Sequence, residues 1–277
     1  MRVTIVDACV RPGRGGGSPT AVVVDDGTLT DDERQRVPAR YGTSHAAFIG
    51  PELDGSHPVR FFTTDGELAG CGHGTIAAQA VRLAEGGPPE ARQRTGGRTF
   101  DTRSTRRPEG IEVWFDQGII AVRPATPDDC EAVLAAVGIG AAQLHPYVRI
   151  VVASPGTPRL LVPVADRDML AALIPDFAAL GSATRERGLL GCFVYVPPDG
   201  DRPALARMFA PAIGVDEDVA NANSAGCLAA HLLCDRPVEV EQGDCMERPA
   251  TVFATAHSGP SGVRVWVGGL AVVRGPA

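Results

Sequence analysis

Two stretches of this chain carry residue types suited to moving a proton: Cys71-Gly72-His73-Gly74-Thr75, and the run from Asp218 through Asn221 to Asn223. An imidazole titrates near neutral pH, so His73 fits a general acid or base; the competing reading is a histidine that caps its own helix. Asp218 fits a group that orients a histidine or holds a substrate amino group, or an acidic residue that simply favours the positive end of a helix dipole. Asn223 suits an anion contact or an N-cap. Cys71 stands at a helix start, where a thiolate is stabilised, so a reactive cysteine is also open. Gly72 and Gly74 let a ligand approach the backbone closely, while Thr75 and Asn221 add polar groups at the two mouths.

Each stretch opens a helix with little polar surface, GTIAAQAVRLA in one case and SAGCLAAHLL in the other, so each helix is expected in the middle of a domain. His73 and Asn223 lie 150 positions apart, about half the chain. Helix N-termini present unpaired N–H groups and attract carboxylates. Two such termini facing each other across an interdomain cleft would make a site for a small anionic substrate.

The surrounding segments supply the elements that must hold these mouths in place. Strands are expected over 2–10, 20–24, 60–64 and 111–115, with 43–49 extended. Thr30 and Glu33 have capping-box spacing and open a helix ending near Gly42. The Arg-rich, Gly-punctuated stretch 86–110 reads as a solvated hairpin. Thr126 and Pro127 start a further helix. Strands over 148–153 and 159–164, helices over 168–173 and 176–187, and strands over 192–196 and 206–209 follow, with strands over 263–267 and 271–274 closing the chain. The expected division is an N-terminal domain of residues 1–118, to which a strand near 268–277 returns, and a C-terminal domain of residues 119–267.

Composition narrows the function. The chain has 277 residues and a net charge of -7, with Arg as its sole strongly basic residue type. An acidic surface argues against nucleic-acid binding, since phosphate neutralisation needs a basic face. No stretch approaches the roughly 18 apolar residues of a membrane helix, and MRVTIVDACV alternates like a strand rather than a signal peptide. The glycines at 13 and 15–17 precede the β-branched run AVVV, not a helix, which argues against a dinucleotide site. The seven scattered cysteines form no C-x-x-C pair, and there is no His-x-x-x-His or acidic cluster. The expectation is a reduced cytoplasmic protein without a metal. His57, His145 and His257 read as surface residues, His231 as half-buried, and Cys227 and Cys234 as core.

The segments GGGSPTAVVVDDG, RFFTTDGELAGCGHGTIAAQAVRL, SPGTPRLLVPVADRDML, GLLGCFVYV, ARMFAPAIGVDEDVANANSAGCLAAHLL and SGVRVWVGGLAVV together resemble the PhzF-like family of the diaminopimelate epimerase-like superfamily. The resemblance covers almost the whole chain. It implies an α+β fold of two pseudo-symmetric domains, each a mostly antiparallel sheet wrapped around a central helix, with the active site between them. It further implies a homodimer that uses no cofactor or metal. The family's motif histidine falls on His73, its E-D-P-A-T-G-S-A aspartate on Asp218 and the serine of that motif on Asn223. The family's catalytic glutamate, in a segment like S-E-T-A-F-V, falls on His45 of Ser44-His45-Ala46-Ala47-Phe48-Ile49.

The implied activity is a cofactor-independent isomerisation in which His45 is the base, with His73 and Asp218 as acid and orienting groups. Gly72, Gly74 and Asn223 would hold a carboxylate or a developing enolate-like charge. The substrate class is a small carboxylated, unsaturated amino acid of an antibiotic pathway, such as an alkylproline precursor. Two other classes stand beside it: a non-catalytic carboxylate-binding protein that kept the fold, and a Cys71-dependent racemase. For the racemase, the second thiol position of the superfamily corresponds to Asn221.

Overall fold

Short-range chemistry sets the helix ends. Thr30 accepts a hydrogen bond from the Glu33 N–H while Glu33 reaches back to the Thr30 N–H, and Gly42 ends that helix in the left-handed region at φ 65°. Thr126 and Asp129 form the same reciprocal pair before a helix with Pro at its first turn, and Gly138 ends it at φ 82°. Both starts and the Gly42 end lie where the sequence puts them; the Gly138 end follows the same chemistry.

The computed structural model describes residues 2–234 and 236–276. They fall into two compact units. Unit 1 comprises Met1–Asp116, Arg248–Val252 and Trp266–Ala277; unit 2 comprises Gln117–Glu247 and Phe253–Val265. Residues 248–252, read from sequence as part of the second domain, sit in unit 1, where the Pro249 carbonyl accepts a hydrogen bond from the Gly17 N–H at 2.9 Å.

Unit 1 runs β1 (Val3–Val10), β2 (Ser18–Val24), α1 (Asp31–Tyr41), β3 (His45–Ile49), β4 (His57–Thr63), β5 (Gly66–Leu68), α2 (Gly72–Ala84), β6 (Glu90–Thr95), β7 (Arg98–Arg107) and the start of β8 (Gly110–Pro124). Unit 2 contains the rest of β8, then α3 (Pro127–Val137), β9 (Val151–Ser154), β10 (Arg159–Pro163), α4 (Arg167–Ala172) and α5 (Phe177–Glu186). It continues with β11 (Cys192–Val196), β12 (Ala204–Ala210), β13 (Val215–Asp218), α6 (Ala222–Leu232) and β14 (Val238–Gln242). The strands β15 (Ala250–Gly259) and β16 (Gly262–Pro276) end the chain, with β16 running antiparallel to β1 so that Val273 lies opposite Val6.

The pairing pattern repeats rung for rung. In unit 1, β1–β2 is antiparallel, β2–β3 is parallel across α1, β3–β4 and β4–β5 are antiparallel, and β4–β6 is parallel across α2. In unit 2, β9–β10 is antiparallel, β10–β11 is parallel across α4 and α5, β11–β12 and β12–β13 are antiparallel, and β12–β14 is parallel across α6. This is the expected pseudo-symmetric α+β fold, and within it α2 and α6 are equivalent. Among the described residues no helix is long and apolar enough to cross a membrane.

In unit 1 the side-chain period of two along the strands feeds both faces of the sheet. Ala46, Phe48 and Phe62 join Val23 and Val37 of α1 in one cluster. Phe61, one residue from Phe62, turns the other way and packs against Gly74 of α2. Nearly every residue of α2 is buried, which explains its apolar circumference. In unit 2, α3 and α5 pack on β10 and β11 through Val133, Leu180, Leu160 and Val194.

The Arg-rich stretch is the β6–β7 hairpin, with Arg92 and Arg103 exposed. The same alternation turns Gln93, Thr95, Thr102 and Ser104 inwards. Gln93 therefore meets Gln79 of α2 and, through it, His57, which is buried rather than on the surface as its sequence context suggested. Gln79 spends its amide hydrogens on His57 Nε2 at 2.7 Å and Gln93 Oε1 at 2.8 Å, and its oxygen accepts from Arg82 Nε at 2.9 Å. Gln93 in turn donates to Thr75 and Thr95.

His57 Nε2 is thus an acceptor, and protonating it would set donor against donor. Burial, with Arg82 nearby, lowers its pKa from 6.5 to about 4. The unfolded chain therefore takes up this proton first, and stability falls as pH drops from about 6.5 towards 4. We expect His57 to account for a loss of about 2 kcal/mol between pH 7 and pH 4.5 in urea unfolding. The pH slope of His57→Gln should be flatter by that amount; parallel slopes would refute the assignment.

Candidate active site

The first residue of β3 is His45, and the period of two that sends Ala46 and Phe48 to the α1 face points His45 to the α2 face. There it meets the first turn of α2. His73 Nε2 lies 3.0 Å from His45 Nδ1, and the two rings meet edge to face with centroids 4.4 Å apart. Cys71 Sγ lies 3.4 Å from His73 Nε2, and the Ser44 hydroxyl lies 2.8 Å from His45 Nδ1. His73 and Cys71 are buried and His45 is half-buried. The ligand-type atoms of His45, Cys71 and His73 all lie within 4.8 Å of one another. Two of these residues come from one motif and the third from 28 positions upstream of His73, so sequence spacing alone gives no sign of the cluster.

His73 does not cap its own helix. Cys71 does, its Sγ accepting from the Gly74 N–H at 3.3 Å. Gly74 is required here because a Cβ would stand 2.8 Å from the Phe61 ring and 3.0 Å from Cys71 Sγ. Gly72 is buried as the first residue of the helix, and the Thr75 hydroxyl accepts from Gln93 in the buried polar network.

The equivalent helix start in unit 2 is built differently. Asn221, not Asn223, is the N-cap of α6, its Oδ1 accepting from the Ser224 N–H at 2.8 Å. Asp218 ends β13, and its carboxylate accepts from Asn221 Nδ2 at 2.9 Å and from the Ala220 N–H at 3.4 Å. Asn223 lies in the first turn, where Gln117 Nε2 donates to its side-chain and backbone oxygens at 3.0 and 3.2 Å. Asp218, Asn221 and Asn223 thus gather around one half-exposed helix start. Cys71 and Asn221 hold the same N-cap position 150 residues apart. The position matching the first thiol is therefore an amide, which cannot exchange a proton as a thiol does.

Sequence reasoning passed over two residues. Ser44 touches His45, and nothing in its residue type or spacing singles it out. Arg159, inside SPGTPRLLVPV, is fully buried in unit 2; its guanidinium donates to Ser224 Oγ in the first turn of α6 at 3.3 Å and to the Thr157 carbonyl at 2.9 Å. Burial pushes its pKa down, with Cys227 acting in the other direction. An arginine inside an otherwise apolar strand was the available signal. A cavity of about 460 Å³ lined by Arg60, Glu67, Arg94 and neighbouring residues includes none of the candidate residues.

Comparison with known proteins places the chain in a family. Residues 11–275 match the family described as Phenazine biosynthesis-like protein. An uncharacterised isomerase of Deinococcus radiodurans is 30% identical over 227 residues, covering 79% of this chain and 72% of its own. The trans-2,3-dihydro-3-hydroxyanthranilate isomerase of Pseudomonas aeruginosa is 29% identical over 283 residues, covering 94% of each chain. A Bacillus anthracis phenazine biosynthesis protein of the PhzF family superposes with a TM-score of 0.86 at 20% identity, covering 100% of this chain and 98% of that one, and so shares its fold. The repeated strand pairing, the equivalent helix starts and a family match over nearly the full length have one reading: the chain belongs to the phenazine biosynthesis-like protein family, and it is an isomerase.

Proposed function

We propose that this isomerase shifts a proton, and with it a double bond, within a small carboxylated, unsaturated amino acid, using His45 and His73 as its proton-handling pair and no cofactor. The observation that carries the reading is the 3.0 Å contact between His45 Nδ1 and His73 Nε2. Two ring nitrogens at that distance share one proton. When His45 Nδ1–H donates to His73, His45 Nε2 keeps its lone pair and takes the proton from a substrate carbon. The charge that develops on His45 is relieved through Nδ1 into His73. Return of the proton to a different carbon completes the shift, with no net gain or loss of protons. Cys71, 3.4 Å from His73 Nε2, holds that ring in place.

In this reading Asp218 binds the substrate amino group, and the first turn of α6, with the Arg159 guanidinium beneath Ser224, provides the positive potential for its carboxylate. Asn221 at the second N-cap supports proton shifting over the two-thiol exchange of a racemase. The relative that acts on trans-2,3-dihydro-3-hydroxyanthranilate supports a cyclic unsaturated amino acid as substrate. We place the activity in antibiotic-type secondary metabolism in the cytoplasm; seven cysteines, odd in number, scattered and without a C-x-x-C pair, support a reducing compartment.

The test is incubation in D2O with trans-2,3-dihydro-3-hydroxyanthranilate and with pyrroline-2-carboxylates, read by NMR and mass spectrometry. Deuterium at a ring carbon with migration of the double bond is expected for at least one of them. Tight binding without exchange would instead favour a carboxylate-binding protein. Asp218→Asn keeps the acceptor for Asn221 and removes the charge, so kcat/KM should fall about ten- to a hundredfold, the worth of a charged hydrogen bond.

A further inference from the structure

We propose that His45 Nδ1, His73 Nε2 and Cys71 Sγ form a binding site for a borderline-soft divalent transition-metal ion of the zinc type. Two imidazoles and a thiolate are the donor set such ions prefer. A tetrahedral zinc ion with bonds of about 2.0–2.1 Å to nitrogen and about 2.3 Å to sulfur holds two nitrogens about 3.3 Å apart, and nitrogen and sulfur about 3.6 Å apart. Here the nitrogens are 3.0 Å apart and the His73 nitrogen is 3.4 Å from sulfur. The third edge, from His45 Nδ1 to Cys71 Sγ, is no longer than 4.8 Å. Rotation of the half-exposed His45 ring to bring that edge to about 3.6 Å would seat the ion.

The scaffold holds the donors ready. Cys71 is pinned as the N-cap of α2, its Sγ accepting from the Gly74 N–H at 3.3 Å. His73 is fixed in the first turn of the same helix, and His45 by its place at the head of β3. Three protein donors leave the fourth tetrahedral position for water or a carboxylate, and the half-exposed His45 gives it access to solvent. On binding, the thiol proton is released, and the proton held between the rings moves to the far nitrogen of its own ring.

The site needs only these three donors and does not depend on the isomerase reading. If both hold, ion and shuttled proton compete for the same nitrogens, and bound Zn2+ blocks turnover until a chelator removes it.

The experiment is anaerobic titration of the reduced full-length protein with Co2+, without substrate. One equivalent should produce the intense visible bands of tetrahedral cobalt and a near-ultraviolet thiolate-to-cobalt band, both displaced by one equivalent of Zn2+. Cys71→Ser should abolish the thiolate band, and His73→Gln should weaken binding at least tenfold. Cys245→Ser, which removes an exposed thiol elsewhere, should leave both unchanged. Circular dichroism checks that each variant is folded; His45→Gln, altered at a half-exposed position, serves in place of any that is not. A weak octahedral spectrum, a thiolate band that survives Cys71→Ser, or one lost in Cys245→Ser overturns the proposal.

Discussion

Alanine at position 45 is expected to lower kcat by about a hundred- to ten-thousandfold, the usual worth of a positioned acid or base, while KM changes little. The side chain is half-buried at the first residue of β3, so its removal leaves the paired strand intact and the cost in stability should stay within about 1 kcal/mol. His45→Glu is the informative companion. A carboxylate at this position can also accept a proton, so it should keep deuterium exchange well above the alanine variant. His73→Gln preserves a hydrogen-bonding partner for His45 but cannot take up its proton, and should lose most of kcat. Exchange at the wild-type rate in His45→Ala would remove the proposed base.

Gly191→Ala is expected to destabilise the protein by about 4 kcal/mol or more, enough to abolish soluble expression or lower the urea midpoint severely. Its added Cβ would stand 2.1 Å from the Phe209 carbonyl oxygen, a backbone atom with no rotamer to escape through. The residue is fixed from the other side too, since its own carbonyl accepts from the Leu160 N–H at 3.1 Å. A methyl group must therefore break the register of β11 with β12, where Cys192 faces Phe209. Gly188→Ala, with nothing within 4 Å of its Cβ but a φ of +63°, should cost only about 1 kcal/mol and serves as the control. Equal midpoints for the two variants would show that the contact with Phe209 relaxes cheaply.

Much of the site's environment was legible because it rests on local chemistry. The capping box at Thr30, the glycine that ends its helix and the helix start at Thr126 and Pro127 involve partners a few residues apart, and the sequence places them correctly. The two apolar helices read as central, and they are. Which residue caps each of them was less legible. Sulfur is a weak acceptor and an unusual N-cap, so residue type points to His73 where Cys71 in fact caps; of two asparagines one helical half-turn apart, Asn221 takes the cap and Asn223 bonds Gln117 instead. His57 looked like a loop residue because its partners are Gln79 and, through it, Gln93, on a helix and a strand that no pattern around position 57 announces.

The sequence by itself determined the residues at the two helix mouths, the helix starts that present them and the repeat of one pattern in the two halves, since these depend on residue type, short-range hydrogen bonds and hydrophobic period; the α+β sheet plan and the place of His45 followed from the resemblance to the PhzF-like family. The tertiary structure decided which of them meet. His45 reaches His73 and Cys71 because the parallel β2–β3 pairing and the burial of α2 against the sheet bring two distant segments together, with strand alternation choosing the face. That contact is fixed by packing over long sequence separations, which no local signal encodes.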